Sequence, residues 1–268
     1  MRRQILKLSV LLLSMIAGKN SFSQTENQPW NNKQAAVVLT YDDGLNIDLT
    51  NVIPALNKVG LKGTFYIADF GNLRTQIPKW RVAAGQGHEL ANHTIYHPCE
   101  GGRPGREFVR PDNDLNNYTV RQIATEIKTM NTMLTAIDGK NKRTFAFPCS
   151  DTKIKDTPYI NSSMTEFVAA RAVRNEMPTI DKVQLFNLPS YAINGETGDK
   201  LIELVKQAIA KKALLVFLFH GVGGEHSLNV SLEAHAQLLA FLKQHQKELW
   251  IAPMIGVAEY VAAKQKNK

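Results

Sequence analysis

Cysteine is scarce. Cys99 and Cys149 are the only two in 268 residues, too few for a fold built on disulfides. Long apolar runs are also missing. After residue 23 none approaches the roughly 20 residues that cross a bilayer, and the longest, Ala213 to Phe219, has the length of a buried strand. No internal repeat, low-complexity tract or linker divides the chain. Hydrophobic residues make up 44% and charged residues 21%, the profile of a soluble globular protein. Wholesale disorder, a collagen-like fibre and a multi-span membrane protein are thereby excluded.

Acidic residues are outnumbered, 24 against 32 basic, for a net charge of +8. Half of that charge, from Arg2, Arg3, Lys7 and Lys19, sits in the first 23 residues, which hold no acid. The remainder is mildly basic and shows no basic-aromatic stripe, so a nucleic-acid partner is not expected. Residues 1–23 read as a secretory signal: a basic start, an apolar stretch from Leu8 to Gly18, and small residues at Ser21 and Ser23 before a cut at Gln24. The expectation is an exported protein, secreted or periplasmic, without stable membrane insertion once the signal is removed. A short N-terminal segment, 24–34, would precede one catalytic domain, 35–268.

The mature chain alternates strands and helices. Apolar runs predict strands at Ala35–Tyr41, Thr64–Ile67, Thr144–Phe147, Phe167–Ala170 and Leu214–Phe219, with another at Trp250. Helical spacing predicts helices at Asp48–Val59 (stopped by Gly60), Thr119–Ile137, Asp199–Ala210 (capped by Asp199), Ser231–Gln246 (capped by Ser231) and from Gly256. Such alternation argues for a parallel sheet, doubly wound or closed as a barrel, whose chemistry gathers where strands end.

Polar residues cluster at those ends. Tyr41-Asp42-Asp43-Gly44 places adjacent carboxylates at a strand end, where a turn at Gly44 can bring both to one site; a plain Asp-Gly turn is the simpler reading. His93 and His97, four apart, would meet on one helical face and share a metal, with a carboxylate from elsewhere completing a site that leaves a position open for water. Phe145-Ala146-Phe147-Pro148-Cys149 leads a strand into a polar loop. Leu218-Phe219-His220-Gly221 ends the most apolar strand with a histidine placed for proton transfer.

In this order, with Lys62–Ile67 and Gly87–His93 between them, these elements resemble the polysaccharide deacetylase family, carbohydrate esterases with a NodB homology domain. The resemblance runs from about Ala35 to Val261. It implies an α/β fold, a distorted (β/α) barrel with fewer than eight strands. It also implies hydrolysis of acetyl groups from a carbohydrate, either N-acetyl on chitin-like or peptidoglycan glycans or O-acetyl on acetylxylan. Asp43, His93 and His97 would bind a divalent metal, with zinc the first choice and other first-row ions permitted by the donor set. Asp42 would be the general base, the Cys149 N–H an oxyanion donor, His220 in protonated form the general acid, and Leu218 part of the acetyl pocket.

Three positions depart from the family pattern. Ala146 stands where an arginine usually orients the base, and Arg171 resembles the substitute used in one branch. Cys149 stands where tyrosine is usual. The fourth motif's tryptophan is absent, which leaves the acid partner of His220 unassigned. Because the loops after His97 and around Cys149 would both border the metal, a Cys99–Cys149 disulfide is geometrically open to the pair, two buried free thiols being the alternative. His88 is expected to brace the loop before His93, and His226, His235 and His245 to lie exposed. The segment Glu100–Asn117 is either a solvated insertion or a wall facing substrate. The competing reading is a catalytically inactive carbohydrate-binding protein on the same scaffold.

Overall fold

The computed structural model describes residues 28–266. The expected signal segment 1–23 and its cut lie outside the described residues. The described residues form twelve strands and six α-helices in chain order. They are β1 (Ala35–Asp42), α1 (Ile53–Val59), β2 (Thr64–Ile67), α2 (Leu73–Gly85), β3 (Glu89–Asn92), α3 (Val120–Asp138) and β4 (Arg143–Ala146), then the two-residue β5 (Lys153–Ile154) and β6 (Thr157–Pro158). The second half holds β7 (Phe167–Arg171), β8 (Tyr191–Ala192), α4 (Gly198–Lys211), β9 (Leu214–Phe219), the short β10 (Gly221–Val222) and β11 (Asn229–Val230), α5 (Leu232–Gln244), β12 (Leu249–Ile251) and α6 (Met254–Lys266).

Seven parallel strands form one curled sheet in the order β7-β4-β3-β2-β1-β9-β8, and β12 adds to the start of β1. The chain just before β8 returns to the opposite edge. Leu188 bridges to Arg171, with Ala172 N–H donating to the Leu188 carbonyl at 2.8 Å and Leu188 N–H to the Ala170 carbonyl at 2.9 Å. The sheet thus nearly closes on itself, as a distorted barrel with fewer than eight strands in the ring. Every β1 residue is buried, and its two faces part by alternation. Ala35, Val37, Leu39 and Tyr41 pack into the main core with α1, α2, α4 and α5. Ala36 and Val38 face a second cluster with Trp30 and with Met254, Val257 and Val261 of α6.

Local signals account for several boundaries. Thr119 and Gln122 make a reciprocal capping box at the start of α3, and Gly139 ends it in the left-handed region. Ser231 caps α5. Thr197, not Asp199, caps α4 by accepting from Lys200 N–H; Asp199 sits inside the first turn, where its charge suits the helix N-terminus. The expected helix from Asp48 is α-helical only from Ile53, after a wider π-type turn. α2 lacked a clear sequence signal because Pro78 interrupts it and its apolar face is thin.

Inside the barrel, the buried Glu89 carboxylate joins four elements. It accepts from Thr64 Oγ1 (2.8 Å), Thr144 Oγ1 (2.7 Å), Thr144 N–H (3.1 Å) and Ile255 N–H (2.9 Å). Met254 N–H donates to Thr64 Oγ1 at 2.8 Å, so the free amides of the α6 N-terminus are satisfied by the barrel floor. Glu89→Ala would leave these donors buried without acceptors. We expect a loss of roughly 2–4 kcal/mol, read as a fall in Tm of about 5–10 °C by calorimetry; an unchanged Tm would contradict the assignment.

Candidate active site

Asp42 is the last residue of β1 and Asp43 begins the turn that follows, with φ of 79° and Gly44 at 63°. Aspartate tolerates this left-handed region, and the reversal brings two successive carboxylates to one site. The sequence spacing of His93 and His97 suggested a helical face. The segment is instead a loop, with Thr94 at φ 66° and His97 at φ 50°. Asn92 Oδ1 accepts from Thr94 N–H at 2.8 Å and Thr94 Oγ1 from His97 N–H at 3.0 Å. Two tight turns therefore do what a helix turn would have done, and the rings meet edge-on with centroids 4.8 Å apart.

The two Nε2 atoms, of His93 and of His97, each lie 3.7 Å from Asp43 Oδ1. That oxygen is buried and accepts no hydrogen bond among the described residues. His93 Nδ1 lies 2.8 Å from the Ala146 carbonyl, which fixes the ring and leaves Nε2 free as a ligand. Two imidazole nitrogens and one orphaned carboxylate oxygen, all within 4.8 Å of one another, fit a divalent ion by position and by donor chemistry.

Arg171 lies on the neighbouring strand as the register partner of Ala146, in β7 and β4. Its Nη2 donates to Asp42 Oδ2 at 2.5 Å and its Nη1 to Ser190 Oγ at 3.2 Å, and its guanidinium carbon lies 5.0 Å from the centre of the Tyr66 ring. Burial pushes the Asp42 carboxyl up, but Arg171, His93 and His220 outweigh it and hold Asp42 below its ordinary value. Among the described residues no guanidinium bonds Asp43, and His226 and Arg171 lower it only in part. Burial and the charge of Asp42 push it up to about 7. Burial pulls His93 down to about 3, and His97 and His220 down to about 4, so all three imidazoles are neutral at pH 7. The protonated His220 expected of the general acid is therefore not its resting form. No carboxylate pairs with it, and its Nδ1 is buried without a hydrogen bond among the described residues.

Cys99 and Cys149 are joined in a disulfide. With Asp42, Asp43 and the histidines, Cys149 and Leu218 line one cleft of about 940 Å³ at the carboxyl ends of the strands. Gly105, Phe108, Val109, Arg110 and Asn113 line it too, so part of the segment Glu100–Asn117 forms a wall of the cleft. The exposed side chains of Phe70, Tyr96, Phe108, Val173 and Leu228 surround the opening, with no tryptophan among the lining residues. His88 braces its loop by accepting from Gly63 N–H at 3.1 Å.

Three histidines differ from expectation, the least of them His245, which is half-buried and stacks on Phe241 with ring centroids 3.9 Å apart. His226 is not a free surface residue: it stacks on His220 with centroids 4.6 Å apart, and its Nε2 lies 3.8 Å from Asp43 Oδ2. Its only sequence signal was the Gly-rich loop it shares with His220. His235 is buried, its Nε2 2.8 Å from the Tyr41 hydroxyl, because α5 lays that face on the sheet.

The raised pKa of Asp43 has a measurable consequence without metal. The folded state holds this proton up to about pH 7, whereas the unfolded chain releases it near 3.9. Its contribution to stability therefore falls as pH rises from about 4 to 7. In chelator, Asp43→Asn should be more thermostable than wild type at pH 7 and should converge with it near pH 4. A pH-independent difference would refute the shift.

A sequence model of the polysaccharide deacetylase family matches residues 30–164, a span holding Asp42, Asp43, His93, His97 and Cys149; Arg171, Leu218 and His220 lie beyond it. No curated protein matches the chain. Among solved structures, a Mycobacterium smegmatis protein described as a polysaccharide deacetylase aligns at 14% identity and TM-score 0.59, covering 87% of this chain and 92% of that one. The Xyl-CE4 domain of a multidomain xylanase from the hindgut metagenome of Trinervitermes trinervoides aligns at 17% and 0.52, covering 84% and 90%. Bacillus subtilis PdaA, a family 4 carbohydrate esterase, aligns at 15% and 0.52, covering 83% and 80%. At these identities the structures speak for the shared fold, and the sequence match for descent: the chain belongs to the polysaccharide deacetylase family.

Proposed function

We propose that this protein is an exported, metal-dependent hydrolase that removes acetyl groups from a carbohydrate polymer or oligosaccharide. The observation that carries the reading is the meeting of Asp43, His93 and His97 beside an Asp42 held ionised by Arg171. Asp43, His93 and His97 would hold the ion, and zinc suits two imidazoles and a carboxylate. When bound, such an ion polarises a carbonyl and lowers the pKa of water.

The chain's own groups supply the rest. Asp42, kept below its ordinary pKa, accepts the proton of the water that attacks the acetyl carbon. The Cys149 N–H donates to the oxygen that becomes negative. It is free to do so because it lies in the first turn of the 3₁₀ segment Pro148–Ser150, and among the described residues no main-chain carbonyl bond is made by it, whereas Ser150 N–H donates to the Phe147 carbonyl. His220 is neutral at rest; it would take up the proton that Asp42 removed from water and, in that protonated form, pass it to the leaving nitrogen or oxygen, returning to neutral. Leu218 gives the acetyl methyl an apolar wall. The exposed rings of Phe70, Tyr96 and Phe108 suit the flat faces of sugar residues on either side.

Acetate release from chitooligosaccharides, peptidoglycan and acetylxylan, with zinc and without, tests the reading and separates N- from O-deacetylation. Asp42→Asn should keep one equivalent of metal and lose at least about 100-fold in turnover. His93→Ala should lose the metal itself, measured by elemental analysis after dialysis. Glycan binding with no acetate release under any metal would establish the inactive binding protein instead.

A further inference from the structure

Cys149 is held in an unusual backbone state. It and Ser150 have φ of 50° and 63°, a left-handed pair without glycine. Such residues cost of order 1 kcal/mol or more each and persist only where neighbours over-determine them. Three ties converge here. The Cys149 side chain is bonded to Cys99, its carbonyl accepts from Arg106 Nη2 at 2.9 Å, and Ser150 Oγ accepts from Val173 N–H at 3.0 Å.

Asp151 is the anchor behind them. Its own N–H donates to the Pro148 carbonyl at 3.0 Å. In a trans peptide the carbonyl and the following N–H point in opposite directions, so fixing the Pro148 carbonyl fixes the direction of the Cys149 N–H. The Asp151 carboxylate, 4% exposed, is gripped by both Arg106 nitrogens and accepts from Glu100 N–H at 2.8 Å. Arg106 Nη1 also donates to the Glu100 carbonyl at 3.0 Å. One guanidinium thus ties the main chain of the segment Glu100–Asn117 to the Cys149 carbonyl and to the Asp151 side chain. Arg106 does not line the cleft, although Gly105, Phe108 and Val109 around it do.

We infer that Arg106, acting through Asp151 and the Cys149 carbonyl, is a positioning residue that aims the Cys149 N–H at the developing oxyanion. The loop Glu100–Asn117 is then a structural half of the oxyanion site as well as a wall for substrate. The inference rests on the proposed deacetylase reading, in which Cys149 N–H is the donor. Arg106 supplies two directed bonds from one planar group, which a lysine at this position cannot reproduce.

The test compares wild type with Arg106→Ala and Arg106→Lys, each checked for an intact disulfide and unchanged metal content. Removing one oxyanion donor costs about 10²–10³ in kcat, and misaiming by an ångström costs about as much as 10²-fold. Arg106→Ala should therefore lower kcat by about 10- to 100-fold with KM within about twofold, and added guanidinium should restore part of it. Arg106→Lys should recover little. Hydrogen–deuterium exchange over residues 147–152 should quicken in both variants. That readout needs no turnover, so it tests the clamp even if wild type releases no acetate and the deacetylase reading fails. Unchanged exchange would overturn the clamp. Faster exchange with unchanged kcat would overturn the Cys149 amide as donor, and a rise in KM with kcat intact would reduce the loop to a wall.

Discussion

Two adjacent carboxylates are buried at one point, and the site is organised around that constraint. Asp42 and Asp43 cannot both be ionised in a largely dry pocket without positive charge close by. The fold supplies one such charge, the Arg171 guanidinium, and bonds it to Asp42. Asp43 is left with a high pKa, an orphaned oxygen and two neutral imidazoles facing it. The asymmetry divides the labour. The carboxylate with a permanent cation stays ionised and can act as a base, and the one without is fit to receive a cation from solution.

The neutral histidines follow from the same burial. An imidazole binds a metal only through an unprotonated nitrogen. Burial lowers His93 and His97 far enough that neither proton competes with a ligand at neutral pH. The Ala146 carbonyl beside His93 Nδ1 then selects the tautomer that leaves Nε2 available. Ala146 is therefore used twice: its carbonyl orients a ligand, and its small side chain leaves room for the arginine of the adjacent strand.

What was legible in the sequence was what a local pattern encodes. β1 and β9 read as strands because they are short uninterrupted apolar runs, and α3 as a helix because Ile123, Ile127, Met130, Leu134 and Ile137 share one face. The paired aspartates and the loop at Cys149 were visible for the same reason, as compact polar groups at predicted strand ends; the paired histidines showed only by their spacing, since β3 before them was not predicted. The His93–His97 spacing pointed to the right pair through the wrong local geometry, since periodicity cannot foresee two consecutive turns in the left-handed region. Harder still were contacts between distant segments. His226 reaches Asp43 because a Gly-rich loop folds back over the cleft, and His235 is buried because α5 lays it against Tyr41; neither position carries a period or motif of its own.

Arg171 lies between these cases. Its place after a strand was readable, but its pairing with Asp42 spans 129 residues and depends on barrel curvature. A doubly wound open sheet would have used the same strands and helices and left β7 and β1 apart. In the curled sheet, residues at the carboxyl ends of non-adjacent strands face one another across the interior, so an arginine on β7 can serve an aspartate on β1. The bridge from Leu188 back to Arg171 holds that curvature at the very residue that pairs with Asp42. The near-closure of the barrel is thus part of the electrostatics of the site: opening that edge would remove the cation that lets Asp42 remain charged while buried.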